Sequence, residues 1–211
     1  EGDLGAKLGR AGMWMKKWEG PYPGTSKMDR RVEGNLEVVK KFVNLGVPKK
    51  QIFISGHSCG GWATLRFTAK YMNEVGGGIS LLPACFWNLS KKYKVKKVGY
   101  EKAMEKFHKK YPGMAQWRQD QIDIIKKGNA PVLIFTHPMD HYEGLTSDWM
   151  DTVPNFKRVV VSETKKINGK KCKIAGSNWE EPVKNAHSID YADCFMYYHP
   201  LIKEYIASRI N

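Results

Sequence analysis

The sequence predicts an α/β protein: a mostly parallel central sheet flanked by helices, in one domain over residues 1–211. Three observations lead there. Short apolar runs at 52–55, 79–82, 131–136 and 157–162 read as buried strands. Segments of helical spacing alternate with them, the pattern of a parallel sheet covered by crossover helices. The run at 52–55 leads straight through Gly56-His57-Ser58-Cys59-Gly60 into a helical segment. The 211 residues, 42% of them hydrophobic, are enough to build a full core.

Taken in order, Leu4, Leu8 and Ala11 share a face of a short helix over 3–11 that Gly12 stops. Met13-Trp14-Met15 reads as a short buried strand, and 19–26, with Gly20, Pro21, Pro23 and Gly24, as a loop. Ser26 or Asp29 can cap the next helix, in which Val32, Leu36, Val39 and Val43 recur at helical spacing before Gly46 and Pro48 end it. The helix after Ser58 is expected to run to about Asn73, with Ala63, Phe67 and Tyr71 on one face, and Gly76-Gly77-Gly78 to break it. Residues 83–88 follow the strand at 79–82; Phe86 and Trp87 there either line a pocket or sit in the core. The Lys-rich stretch 89–129 holds two helices, 100–110 and 114–127, split by Pro112-Gly113, which either cap the site or cover the sheet. The strand at 131–136 ends in His137-Pro138-Met139-Asp140-His141. A helix is expected at 147–153, started by Asp148 and Asp151, and Asn168-Gly169 reads as a turn between short extended pieces. Pro200 opens a terminal helix with Leu201, Ile202, Tyr205, Ile206 and Ile210 as its apolar stripe.

Gly56-x-Ser58-x-Gly60 between a strand and a helix has a chemical meaning. A serine hydroxyl is a weak nucleophile unless it is exposed beside a base. A sharp strand-to-helix turn projects its oxygen off the sheet, and the crowded turn requires small residues two before and two after. The N–H of Cys59, at the helix start, would then point to where an oxyanion forms.

These residues resemble the α/β-hydrolase superfamily, most closely its dienelactone-hydrolase-like branch, although dienelactone hydrolases proper carry cysteine where Ser58 stands. The resemblance covers nearly the whole chain. It implies an acid just past the strand at 131–136, where Asp140 stands, and a base between the last strand and the last helix, where His187 stands. Ser58, Asp140 and His187 keep the family order of nucleophile, acid and base. The competing positions are Asp148 and Asp151 for the acid and His199 for the base. His57 is too near the turn to serve Ser58 as base and is assigned, with Phe86 and Trp87, to substrate contact. His108, on a Lys-rich helix, is expected to face solvent. The resemblance also places a further strand, and the loop giving the second oxyanion N–H, upstream of Glu1. Glu1-Gly2-Asp3 would be the tail of that loop, unless the N-terminus is rearranged. With no signal peptide and no initiator Met, the chain is expected to begin inside a longer gene product.

The net charge is +14 and the pI about 9.5. The lysines fall in dispersed pairs such as Lys16-Lys17, Lys40-Lys41 and Lys170-Lys171, and no nucleic-acid-binding motif accompanies them. A solvated basic surface is the reading, with attraction of an anionic substrate as the alternative. No apolar run approaches the roughly 20 residues of a membrane helix. Cys59 and Cys85 read as free, hydrophobic thiols. Cys172 and Cys194 bracket the His187 loop, and a disulfide between them is expected, with a secreted or periplasmic location and a cytoplasmic one as alternative. His137, Asp140 and His141 do not have the spacing of a recognised metal site. The expected chemistry is hydrolysis of a carboxylic ester, small or polymeric, through an acyl-enzyme, with no cofactor, nucleic acid or membrane span. Hydrolysis of a peptide or thioester, or binding without catalysis, are the other readings.

Overall fold

A computed structural model describes residues 26–85, 95–138, 140–161, 166–167, 170–171, 186–188 and 193–210. The helix expected at 3–11, the strand at 13–15, Phe86, Trp87, Cys172 and the turn at 168–169 lie outside them, as does the side chain of Cys194.

Helix α1, Lys27–Asn44, opens on Ser26, whose Oγ accepts from the Asp29 N–H at 3.1 Å. This satisfies one of the donors that a helix start leaves open. The helix closes where Gly46 takes φ +90°, a conformation that suits glycine. Strand β1, Phe53–His57, leads into α2, Cys59–Lys70. Strand β2, Gly77–Leu81, is followed by α3, Val95–Val98, α4, Tyr100–Lys110, and α5, Pro112–Lys126. Then come β3, Val132–Thr136, and β4, Phe156–Val160. A two-residue pair, β5, Lys166–Ile167, and β6, Lys170–Lys171, runs antiparallel. Helix α6, His199–Ile210, completes the described chain.

The four main strands lie in the order β1-β2-β3-β4, and every pairing is parallel. Side chains alternate across the sheet, as the period of two demands. On β3, Val132 and Ile134 join Trp62, Ala63 and Leu65 of α2, Phe107 of α4 and Ile122 and Ile125 of α5 in one core. Leu133 and Phe135 face the other way, into a cluster with Ile79, Phe195, Tyr198 and Tyr205. The apolar positions of α1, Val32, Leu36, Val39 and Val43, pack on Phe67 and Ile54. Helices α4 and α5 therefore lay their apolar faces on α2 and the sheet. Fully burying a side chain such as Phe135 stabilises by roughly 2–3 kcal/mol, so β3, with all five residues buried, anchors both layers. Arg66 of α2 ties the helical layer together through Asp29 of α1, at 3.0 Å, and Gln121 of α5.

The structure corrects some boundaries. Gly77 and Gly78 are not what ends the helix, which has closed at Lys70; they belong to β2. A Cβ on Gly78 would stand 2.9 Å from Thr68 Cγ2, and one on Gly77 would stand 2.3 Å from the Tyr205 hydroxyl. Glycine is there because helices from both layers approach the strand closely. Helix α2 ends at Lys70, since Tyr71 has left helical geometry at φ −125°, ψ 46°. The segment expected as a helix at 147–153 is a 3₁₀ turn, Asp148–Thr152, preceded by another at Gly144–Thr146. His108 is half-buried rather than exposed.

A paired substitution checks the packing. A Cβ on Gly56 would stand 2.5 Å from the backbone of Gly60, whereas one on Gly34, in α1, meets nothing within 4 Å. Gly56→Ala should lower the unfolding free energy by about 3 kcal/mol or prevent folding. Gly34→Ala should raise it by about 0.5–1 kcal/mol. Urea unfolding of both variants reads the difference.

Candidate functional site

The site forms at the carboxyl ends of β1 and β3, where a parallel sheet leaves room for a ligand. Ser58 follows β1 directly and caps α2. Its backbone stands at φ 58°, ψ −125°, a region non-glycine residues rarely occupy. The turn is held from both sides. Ser58 N–H donates to Leu81 O at 3.0 Å, and Ser58 O accepts from Trp62 N at 3.0 Å and Ala84 N at 3.1 Å. Small residues are needed, but not quite where the pattern placed them. Gly56 is crowded by the Gly60 backbone, while a Cβ on Gly60 itself would meet only Arg31 Nη1 at 3.7 Å. Gly61 is the tighter position, 2.9 Å from Leu81 O.

Asp140 lies past the end of β3 in a turn: its N–H donates to His137 O at 3.0 Å, and Gly144 N–H donates to Asp140 O at 3.1 Å. One carboxylate oxygen, Oδ1, accepts from the Tyr142 N–H at 2.9 Å, which fixes the side chain's rotamer. The other, Oδ2, is 2.7 Å from His187 Nδ1. A carboxylate only accepts, so Nδ1 donates. In the neutral ring Nε2 is then bare, and it lies 2.8 Å from Ser58 Oγ, whose hydroxyl donates to it. Asp140 and His187 are buried, whereas Ser58 is half-buried. The Tyr142 ring packs on His187 with centroids 4.4 Å apart.

Of the sequence-based candidates, the structure thus brings together Ser58, Asp140 and His187. Cys59 is the first residue of α2, so its N–H belongs to the turn that lacks intrahelical acceptors. Asp148 and Asp151 are exposed and bind Arg158 instead, and His199 is exposed at the start of α6. His57, expected to touch substrate, has its Nε2 2.7 Å from the carbonyl oxygen of His187. Cys59 and Cys85 are not free thiols but a disulfide, formed where the Ala84–Ser58 hydrogen bond draws the loop after β2 against the elbow. Closing a loop of this 26-residue separation stabilises by roughly 3 kcal/mol. The expected Cys172–Cys194 pair lies outside the described residues, as do Phe86 and Trp87. Among the described residues no three His, Cys, Asp or Glu side chains group to hold a metal, and no helix is long and apolar enough to cross a membrane.

Sequence reasoning missed Glu143 and Arg118. Both are buried, and Arg118 of α5 reaches the acid turn: Nε and Nη2 each stand 2.9 Å from Glu143 Oε2. Arg118 also donates to Thr146 O at 3.1 Å. A separation of 25 positions in the chain hides the pair from any local pattern. Tyr142 was the more legible omission, since an Asp side chain commonly accepts from the backbone N–H two residues on and so forms a turn, as Asp140 does here. Burial pushes the Glu143 carboxyl up to about 7 against the pull of Arg118. Burial likewise holds the His137 imidazole down, at about 4, against the nearby Asp140.

No family model matches the chain, and no curated protein matches it significantly. Solved structures do. The uncomplexed acylaminoacyl peptidase of Pyrococcus horikoshii matches with TM-score 0.43 and 17% identity, over 84% of this chain and 30% of that one. Its orthorhombic form matches with TM-score 0.41 and 15% identity, over 85% and 30%. A lipase candidate from Acinetobacter baumannii AYE matches with TM-score 0.41 and 15% identity, over 84% and 69%. The chain spans 30% of the length of the peptidase chains. At these identities the likeness assigns no activity.

The two shifted groups act on stability in opposite directions. His137 is harder to protonate in the fold than in the unfolded chain, so its contribution is complete above about 6.5 and is lost as pH falls toward 4. Glu143 is easier to protonate in the fold, so its contribution is complete below about 4.5 and is lost as pH rises toward 7. Melting temperatures taken between pH 4 and 7 should therefore fall more steeply on acidification in Glu143→Gln than in the wild type. In His137→Asn they should fall less steeply or rise.

Proposed function

We propose that this chain is a serine hydrolase of the α/β-hydrolase type that cleaves a carboxylic ester through an acyl-enzyme on Ser58. The observation that carries the reading is the continuous relay Ser58 Oγ, His187 Nε2, His187 Nδ1, Asp140 Oδ2, with links of 2.8 and 2.7 Å. The order of the three residues along the chain and the left-handed turn at Ser58 support it.

In this reading Ser58 attacks the ester carbonyl as His187 Nε2 takes its proton. The Cys59 N–H stabilises the oxyanion, together with a second donor supplied from elsewhere. His187 returns the proton to the leaving alcohol, and water then repeats the sequence to release the acid. Asp140 holds His187 in the tautomer with Nδ1–H and stabilises the imidazolium. No cofactor enters. The serine in place of a cysteine nucleophile makes a general esterase a better description than a dienelactone hydrolase. The Cys59–Cys85 disulfide supports an oxidising compartment, secreted or periplasmic. The basic surface suits an anionic or polymeric ester.

Hydrolysis of p-nitrophenyl esters, a matched thioester and a matched p-nitroanilide tests the assignment. The ester should turn over fastest, and Asp140→Asn should reduce kcat by about 10⁴-fold with the fold intact. Turnover of the anilide or thioester but not the ester would contradict the ester reading. Turnover unchanged in Asp140→Asn would contradict the relay.

A further inference from the structure

Resting on that reading, we infer that His57 is a positioning residue for the base: its Nε2–H holds the backbone of His187 on the elbow. The distance from His57 Nε2 to His187 O is 2.7 Å. A carbonyl oxygen can only accept, so this nitrogen carries the proton and donates. The two rings lie 4.9 Å apart, tilted by 42°, so the imidazoles pack together while His57 reaches past the side chain of His187 to its main chain.

The arrangement answers a mechanical need. His187 sits in 3₁₀ geometry at 186–188. Its ring is held at both nitrogens, by Asp140 and by Ser58. The contact to Ser58 must change during the reaction, since Nε2 gains and gives up a proton and the bond to Ser58 Oγ breaks on acylation. A contact to the backbone changes in neither step. His57 is well placed to provide it. It is the last residue of β1, paired with Leu81 of β2, and the residue immediately before the nucleophile. The donated hydrogen bond therefore references the base to the same strand that positions Ser58. A misplacement of about 1 Å at such a site can cost about 10²-fold in rate.

His57→Phe keeps a ring without the donor, and His57→Gln returns a donor at the reach of Nε2. Three quantities are read: kcat and KM on p-nitrophenyl acetate, the rate of fluorophosphonate labelling, and Tm. His57→Phe should lower kcat and the labelling rate by 10- to 100-fold with KM within about 3-fold, and His57→Gln should recover to within about 3-fold of wild type. His57→Phe at the wild-type rate, or His57→Gln as slow as His57→Phe, would overturn the inference. Nitrogen-15 shifts of the wild-type imidazoles provide a test that needs no variant to fold. At neutral pH His57 should be the Nε2–H tautomer, and a bare Nε2 would overturn the inference. A wild type that neither labels nor turns over would instead defeat the hydrolase reading, a result distinguishable from all of these.

Discussion

The backbone at Ser58 is the constraint on which the rest of the molecule turns. A non-glycine residue at φ 58°, ψ −125° costs on the order of 1–3 kcal/mol, and it persists only because its surroundings leave no alternative. Strand β1 is paired with β2 along its length, ending at His57 opposite Leu81. Helix α2 starts at the very next residue after Ser58. The N–H of Ser58 is used by Leu81, and its carbonyl is used by both Trp62 and Ala84. The chain must reverse within one residue, and Gly56 and Gly61 are where the reversal brings backbone against backbone. The position of the hydroxyl is thus a property of the sheet, not of a loop.

The other two members of the relay reach that hydroxyl from distant parts of the chain. His187 is 129 positions from Ser58, and Asp140 stands at the end of the fully buried strand β3. The acid turn is braced twice: by its own Asp140–Tyr142 contact and by Arg118, which crosses from α5 to Glu143. A buried ion pair of this kind adds little net stability, but removal of one partner leaves an unpaired buried charge costing about 3–5 kcal/mol. It ties α5 to the turn that carries Asp140, which gives that helix a role beyond covering the sheet. The disulfide from Cys59 to Cys85 and the His57 hydrogen bond do the same for the elbow. Each element of the site is therefore attached to the core by a contact separate from the relay itself.

Much of this is legible in the residues, for identifiable reasons. Apolar runs such as Val132 to Phe135 announce buried strands because both faces of a parallel sheet are covered. The elbow is legible because the turn accepts few residue types, and Asp140 and His187 because their order after Ser58 is the one the resemblance implies. What depends on long-range approach is not legible. Gly77 and Gly78 look like a helix breaker and are strand residues under Thr68 and Tyr205. Cys59 and Cys85 look like separate thiols because nothing local shows that the loop after β2 folds back on Ser58. Asp148 and Asp151 compete with Asp140 on paper until Arg158 claims them. His57 reads as a substrate contact, and nothing local shows that its Nε2 lies 2.7 Å from the carbonyl oxygen of His187.

The central claim is that Ser58 is an activated nucleophile, and the most direct measurement is intact-mass analysis after exposure to a fluorophosphonate, with the adduct mapped by peptide sequencing. The account predicts one adduct, on Ser58, absent from Ser58→Ala and strongly slowed in a variant lacking the His187 imidazole. Folded wild-type protein that takes up no label, or that carries it on another residue, would contradict the account.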